Sequence, residues 1–275
     1  MISESLRPIG VFDSGLGGLT VVRELRRCLP GESILYFGDT ARVPYGTRSP
    51  VTVRRYAREA AAFLLERGIK LLVVACNTAT AHACEELTRL LSIPVVGVIE
   101  PGARAAARAT ITQRVGVIGT TGTISSGAYD LLLRKLLPNA RVYAQPCPLF
   151  VPLVEEGWTE RPAAELIAAE YLRPLEELDV DTVILGCTHY PLLRPLLARI
   201  LGDDVVLVDS GAETATEVRR VLGEYGLLRQ SDAPPTYTFT VSDLPLRFRE
   251  IGRSFVGDLI DDVEMVHVEG RELAG

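Results

Sequence analysis

Short, nearly continuous apolar runs punctuate the chain, separated by longer mixed stretches with helical periodicity. The runs are Ile9–Phe12, Ser33–Phe37, Leu71–Ala75, Val95–Ile99, Val115–Ile118, Arg141–Ala144, Thr182–Leu185 and Val205–Val208. They are rich in Val, Ile and Leu and do not alternate with polar residues, as parallel strands covered on both faces require. Between them, Arg55–Arg67, Ala79–Leu91, Ile124–Leu137, Pro162–Leu178, Leu192–Leu201 and Thr214–Tyr225 read as helices. This alternation predicts an α/β fold built on open parallel sheets. Two later runs, Thr236–Val241 and Val263–Val268, read as further strands, the first entered through Pro234-Pro235.

The second half of this pattern restates the first. Ile9-Gly10-Val11-Phe12 with Asp13-Ser14-Gly15 matches Val115-Gly116-Val117-Ile118 with Gly119-Thr120-Thr121-Gly122. Ile34-Leu35-Tyr36 matches Arg141-Val142-Tyr143, and Val95–Val98 matches Val205–Val208. Leu72-Val73-Val74-Ala75-Cys76-Asn77-Thr78 matches Val183-Ile184-Leu185-Gly186-Cys187-Thr188-His189. The expectation is two similar lobes related by a pseudo-two-fold, with a site in the cleft between them. Residues 1–97 with a return of 210–275 would form one lobe, and 98–209 the other. In open α/β sheets, ligands sit beyond the carboxyl ends of the strands, so equivalent strand ends would meet across the cleft.

Composition narrows the function. The chain has 275 residues, 47% hydrophobic and 23% charged, which excludes a largely disordered protein. Its formal charge of −6 speaks against a general nucleic-acid or anionic-membrane surface. No secretory signal is visible, and no apolar run approaches the roughly 20 residues that span a bilayer. Five cysteines, at 28, 76, 84, 147 and 187, show no disulfide-framework spacing, so a reduced, cytoplasmic protein is expected. Neither CxxC nor HExxH occurs, and no metal is expected.

Cys76 and Cys187 are the pair at equivalent places in the repeat. Each follows an apolar strand and precedes a short polar segment opening a helix, where backbone N–H groups favour thiolate. An ordinary thiol would be only about 3% ionised at neutral pH, so such a site needs help. His189, two residues beyond Cys187, and Asp13, at the first strand end, could supply it. Cys28 and Cys84 fall in helical patterns and Cys147 between two prolines, and all three read as packing residues. His82 reads as a surface or packed residue of a helix, and His267, alternating with Val266 and Val268, as the polar face of a strand. The turn Asp13-Ser14-Gly15-Leu16-Gly17-Gly18 is neither G-x-G-x-x-G nor a P-loop, but its glycines let backbone approach an anion. Gly119-Thr120-Thr121-Gly122, Asn77-Thr78 and Thr188 add neutral polar groups that could hold carboxylates or simply cap helices. Pro44-Tyr45-Gly46 could wall a pocket, and Glu155 could meet an ammonium group or remain a solvated helix charge.

Several classes fit these residues. Pyridoxal phosphate chemistry needs a Schiff-base lysine. The only lysines are Lys70, just before a buried strand, and Lys135, in a helix beside Arg134, and neither follows a strand end with a phosphate loop. A hydrolase or transferase would use Cys187 with His189 as nucleophile and base and would not require Cys76. A two-lobed binding module would close on a ligand but leave the twin cysteines unexplained.

Phe12-Asp13-Ser14-Gly15-Leu16-Gly17-Gly18-Leu19, Pro44-Tyr45-Gly46, Ala75-Cys76-Asn77-Thr78-Ala79 and Gly186-Cys187-Thr188-His189-Tyr190-Pro191 together resemble the glutamate racemase family, over about residues 9–260. The resemblance implies a cofactor-independent isomerase of two α/β lobes that interconverts L- and D-glutamate for bacterial peptidoglycan synthesis. It implies that Cys76 and Cys187 are the catalytic acid/base pair, with Asp13 supporting Cys76, His189 supporting Cys187, and Glu155 a further acidic residue near the second thiol. Asp13, Ser14, Pro44, Tyr45, Gly46, Asn77, Thr78, Thr121, Thr188 and His189 would line the substrate site. Some members dimerise, which leaves a homodimer open. Aspartate racemase is the near neighbour, and the Cys-Thr-His-Tyr-Pro segment favours glutamate by resemblance. Racemisation also has a geometric demand that this pair would meet. The α-proton leaves one face and another arrives on the opposite face, so two opposed groups must share the work.

Overall fold

The computed structural model describes residues 3–273. Ten strands form two wholly parallel sheets. The first contains β1 (Ile9–Asp13), β2 (Ile34–Gly38), β3 (Leu71–Val74), β4 (Val95–Gly97), β9 (Tyr237–Val241) and β10 (Val263–Met265), in the order β10-β9-β2-β1-β3-β4. The second contains β5 (Arg114–Gly119), β6 (Arg141–Pro146), β7 (Thr182–Gly186) and β8 (Val206–Asp209), in the order β6-β5-β7-β8. The strands β2-β1-β3-β4 and β6-β5-β7-β8 therefore follow one topology twice. Every residue of β1, β2, β3 and β7 is buried, which accounts for their unbroken apolar runs.

The register refines the repeat. Val11 pairs with Val73 and Val117 with Ile184, so the alignment of the two cysteine-bearing strands holds residue for residue. At the edges it slips. Ile9 pairs with Ile34, whereas its equivalent Val115 pairs with Val142, one residue beyond the sequence match. Leu72 pairs with Val95 and Val183 with Leu207, a two-residue correction that leaves side chains on the same face.

Eleven helices connect and cover the sheets among the described residues. The helix α2 (Pro50–Glu66) begins five residues before the predicted Arg55, because Ser49 caps it through the Thr52 N–H and Pro50 fits its first turn. The helix α3 (Asn77–Leu90) starts directly after Cys76, and α8 covers Pro162–Glu177. The predicted helix over 124–137 is two pieces, α5 (Thr121–Ser125) and α6 (Ala128–Leu136), broken where Gly127 takes φ +66°. The predicted strand Val95–Ile99 ends at Gly97, and Ile99 opens α4 (Ile99–Ala109). Pro101 fits its first turn and the alanines that follow favour a helix.

The chain leaves the first sheet through α4, completes the second, and returns through α10 (Ser210–Glu224). That helix packs on α4 and on α1 (Leu19–Cys28). After it, β9 pairs with β2, and α11 (Pro245–Val256) packs on α1 before β10 closes the sheet edge. Beneath the first strand ends, the rings of Phe12, Phe37 and Phe63 pack at centroid distances of 6.3 and 5.3 Å. Such aromatic pairs contribute about 0.5–1.5 kcal/mol each beyond area burial, which firms the core on the face of the sheet that Phe12 and Phe37 occupy. Among the described residues no helix is long and apolar enough to cross a membrane.

Candidate active site

Asp13 is the last residue of β1 and is fully buried. Its Oδ2 accepts the Gly15 N–H at 2.8 Å, an Asx turn that folds the chain back over the strand end. Tyr36 donates its hydroxyl to the Gly15 carbonyl at 2.8 Å and fixes the turn from beneath. The other carboxylate oxygen, Oδ1, is buried without a hydrogen-bond partner. Burial raises the Asp13 carboxyl above the usual range, against the pull of His189 and the backbone N–H groups of the turn. Gly17 has a steric reason to be glycine, since a Cβ there would lie 2.5 Å from His189 Nδ1.

Cys76 lies just beyond β3 and caps α3, its sulfur accepting the Ala79 N–H at 3.4 Å. The neighbouring Ser14 hydroxyl favours the charged form of this sulfur. The expectation that a helix start would favour thiolate here fails. Burial pushes the thiol up to about 12, the Asp13 carboxylate and Cys187 add to the rise, and Ser14 and the Ala79 N–H oppose it without prevailing. One or two dipolar contacts do not compensate the loss of water around a thiolate.

Cys187 follows β7 and is buried. It precedes a short 3-10 turn, Tyr190–Leu193, rather than a long helix. Its sulfur lies 3.9 Å from His189 Nδ1, and His189 Nε2 lies 2.9 Å from Glu155 Oε1. A carboxylate only accepts, so Glu155 holds a proton on Nε2 and leaves Nδ1 facing the thiol. Burial pulls the His189 imidazolium down, but hydrogen bonds to Cys187 and Glu155 outweigh it and raise the group to about 10. Glu155 ends α7 (Phe150–Glu155), a short helix the apolar pattern did not reveal. Phe255 of α11 meets the His189 ring edge-on at 5.9 Å.

The two halves meet through hydroxyls. Thr20 donates to the Thr188 carbonyl at 2.9 Å. Thr78 Oγ1 lies 2.9 Å from Thr120 Oγ1 and 3.1 Å from Thr123 Oγ1. Tyr129 donates its hydroxyl to Asn77 Oδ1 at 2.7 Å, and Asn77 Nδ2 is buried without a partner. Gly46 brings its backbone against Thr120, where a Cβ would lie 2.6 Å from the threonine Cβ.

The structure links Cys187, His189 and Glu155 by direct contacts, and places Asp13, Ser14 and Cys187 near enough to Cys76 to act on its thiol. Tyr45 is buried, but Asp39 accepts its hydroxyl, so its ring and backbone are what remain for a ligand. Pro44 is exposed beside it. Thr121 is exposed at the first position of α5 and makes no side-chain hydrogen bond among the described residues, whereas its neighbours Thr120 and Thr123 bridge to Thr78. Thr20, Tyr36, Thr123 and Tyr129 were not singled out from the sequence. Only the run Thr120-Thr121-Gly122-Thr123 hinted at one of them.

The remaining cysteines are free but differently placed. Burial pushes Cys84 up to about 11 and Cys147 higher still, so both are inert thiols. Lys70 is buried at the start of β3, opposite the Cys76 end, with its Nζ 2.5 Å from Glu32 and bonded to the Ser5 and Leu227 carbonyls. No three His, Cys, Asp or Glu side chains converge as a metal site among the described residues. A cavity of about 790 Å³ beside α2, lined by Arg54, Arg55, Arg58 and Arg271, shares none of its lining with the groups around the thiols.

Two buried thiols, each at a parallel strand end and each with its own proton-holding neighbours, define an acid–base enzyme of two related lobes. Comparison with known proteins gives that class its family. Residues 9–218 match the family model described as Asp/Glu/Hydantoin racemase. A glutamate racemase of Geobacter metallireducens is 53% identical over 266 residues, 97% of this chain and 98% of the relative. One of Syntrophus aciditrophicus is 50% identical over 97% and 98% of the two chains. The crystal structure of glutamate racemase from Francisella tularensis in complex with D-glutamate superposes with a TM-score of 0.91, at 41% identity, covering 96% of this chain and 99% of that one. This chain belongs to the Asp/Glu/hydantoin racemase family, among its glutamate racemases.

Proposed function

We propose that this protein interconverts L- and D-glutamate without a cofactor, by two thiols working on opposite faces of the α-carbon. Identity of about half to glutamate racemases over nearly the whole chain supports glutamate over aspartate. The product D-glutamate serves peptidoglycan synthesis, and the five free thiols suit the reducing cytoplasm. The two lobes are residues 1–97 with 210–275 and residues 98–209, a division supported by the strands each range contributes to a sheet.

The observation that carries the mechanism is the unequal company of the two sulfurs. Cys187 faces an imidazole whose second nitrogen is held by Glu155, so a thiolate there is paired with a cation. Cys76 faces a buried carboxylate and retains its proton. In one direction Cys187 removes the α-proton as thiolate and becomes a thiol. Cys76 delivers its proton to the opposite face and becomes thiolate. The enzyme then stands in the form that works on the other enantiomer, and proton exchange through Asp13 and His189 restores the first form. The α-carbanion is stabilised by donors fixed before the reaction begins. Asn77 Nδ2, the hydroxyls of Ser14, Thr78 and Thr188, and the backbone at Gly46 are the groups we assign to the substrate carboxylates. Asp13 Oδ1 is the acceptor we assign to the ammonium group, and Tyr45, Pro44 and Thr121 line the entrance.

The test is racemisation of purified protein by circular dichroism with L- or D-glutamate and no added cofactor. Turnover of both enantiomers is expected. Turnover of aspartate in place of glutamate would overturn the substrate assignment.

A further inference from the structure

We infer that Tyr129 is a positioning residue for this reaction, which fixes the amide of Asn77 so that its NH2 group, and not its carbonyl, is presented to the substrate. The inference rests on the proposed racemase function and adds a residue from outside the repeated motifs.

Tyr129 lies on α6 in the second lobe and is 3% exposed. It spans the two thiol-bearing strand ends. On one side its ring lies over Gly186, the residue before Cys187, where an added Cβ would stand 3.2 Å from the ring edge. On the other side its hydroxyl donates to Oδ1 of Asn77, the residue after Cys76, at 2.7 Å. This is the one hydrogen bond the phenol makes among the described residues, and the phenol is its donor.

That single donation decides which way a planar amide faces. With Oδ1 held by Tyr129, Nδ2 must project the opposite way, and there it is buried with no partner in the protein. An unpaired buried donor is costly unless a ligand meets it, and a carboxylate is the acceptor that suits it. Without the phenolic hydroxyl the amide would be free to flip. Its carbonyl would then face the carboxylate and repel it.

Tyr129→Phe keeps the ring and removes only the hydroxyl. The expected result is a KM for glutamate raised about tenfold, with kcat within about twofold, the scale of one lost hydrogen bond to a charged group. A variant that merely folded less well would lower kcat and leave KM unmoved, so the split separates positioning from structure. Asn77→Ala, which reaches the contact from the other lobe, should raise KM at least as far. On that background Tyr129→Phe should add less than about twofold, because the two groups act as one unit. An unchanged KM in Tyr129→Phe, a loss confined to kcat, or independent effects that multiply in the double variant would each overturn the inference while leaving the racemase reading intact. A wild-type protein that fails to racemise glutamate would overturn both.

Discussion

Cys76 and Cys187 stand at matching strand ends of two sheets with one topology, and both are buried. What differs is the second layer. Near Cys76 stands a carboxylate, Asp13, and burial and that charge act together to keep the thiol protonated. Near Cys187 stands an imidazole backed by Glu155, and a positive charge is held beside the sulfur. The repeat supplies two equivalent sulfurs, and their neighbours differ in charge: a carboxylate near one and an imidazolium beside the other. Symmetry of backbone is thus compatible with division of labour between side chains.

The largest expected effect comes from removing either sulfur. Cys76→Ala and Cys187→Ala should each lower kcat/KM by roughly a thousandfold or more, the scale of losing a positioned acid or base. Because L- and D-glutamate have equal free energies, the loss in kcat/KM must be the same in both directions for each variant, and polarimetry from both enantiomers checks this. A variant that kept wild-type activity would break the comparison outright.

Next in size is the support of Cys187. His189→Ala should cost roughly a hundredfold in kcat/KM. The sign of the pH dependence follows from the raised imidazolium. The cation is present below about 10 and is lost as pH rises through that value, so activity should fall on that limb. In Glu155→Gln one of the contacts that raises His189 is gone, and the alkaline limb should move to lower pH. A profile unmoved by this change would remove Glu155 from the account.

A smaller effect is expected at the seam between the lobes. In Gly17→Ala the new methyl would crowd His189 Nδ1 and the Thr188 hydroxyl, and the ring must shift from Cys187. Overpacking of this kind costs about 1–3 kcal/mol, so a drop in kcat/KM of roughly ten- to a hundredfold is expected, with the limb of the pH profile displaced. The smallest effect on catalysis should come from the far end of β3. Lys70→Met leaves the buried Glu32 carboxylate without its cation, holding only the Arg229 N–H, and should lower stability by about 3 kcal/mol in denaturant melts. The kcat of the folded fraction should be unchanged, since Cys76 is at the other end of the strand.

Much of this was legible in the chain. Continuous apolar runs locate β1, β2, β3 and β7, because strands buried on both faces leave nothing to ambiguity of alternation. Repeat-equivalent cysteines were visible because strand ends recur with the fold. Local chemistry misled where a stronger local signal was overlooked. Ser49-Pro50 starts α2 early, and Gly127 divides one apparent helix. The short helix α7, which carries Glu155 to His189, has too few residues to show a period. The raised thiol of Cys76 is not legible in its neighbours, because a helix start is written in the sequence, whereas the depth of burial depends on everything packed above it. Tyr129, Thr20 and Thr123 act across the lobes, and residues that meet only through tertiary structure leave no spacing to read.

The central claim is that two thiols act on opposite faces of one carbon, and isotope placement tests it most directly. Wild-type protein is incubated briefly with L-glutamate in D2O without cofactor, and both enantiomers are recovered and analysed for α-deuterium. The account predicts deuterium in the D-glutamate formed, with the recovered L-glutamate essentially unlabelled, and the mirror result from D-glutamate. Equal labelling of substrate and product at early times would show one group serving both faces and would contradict it.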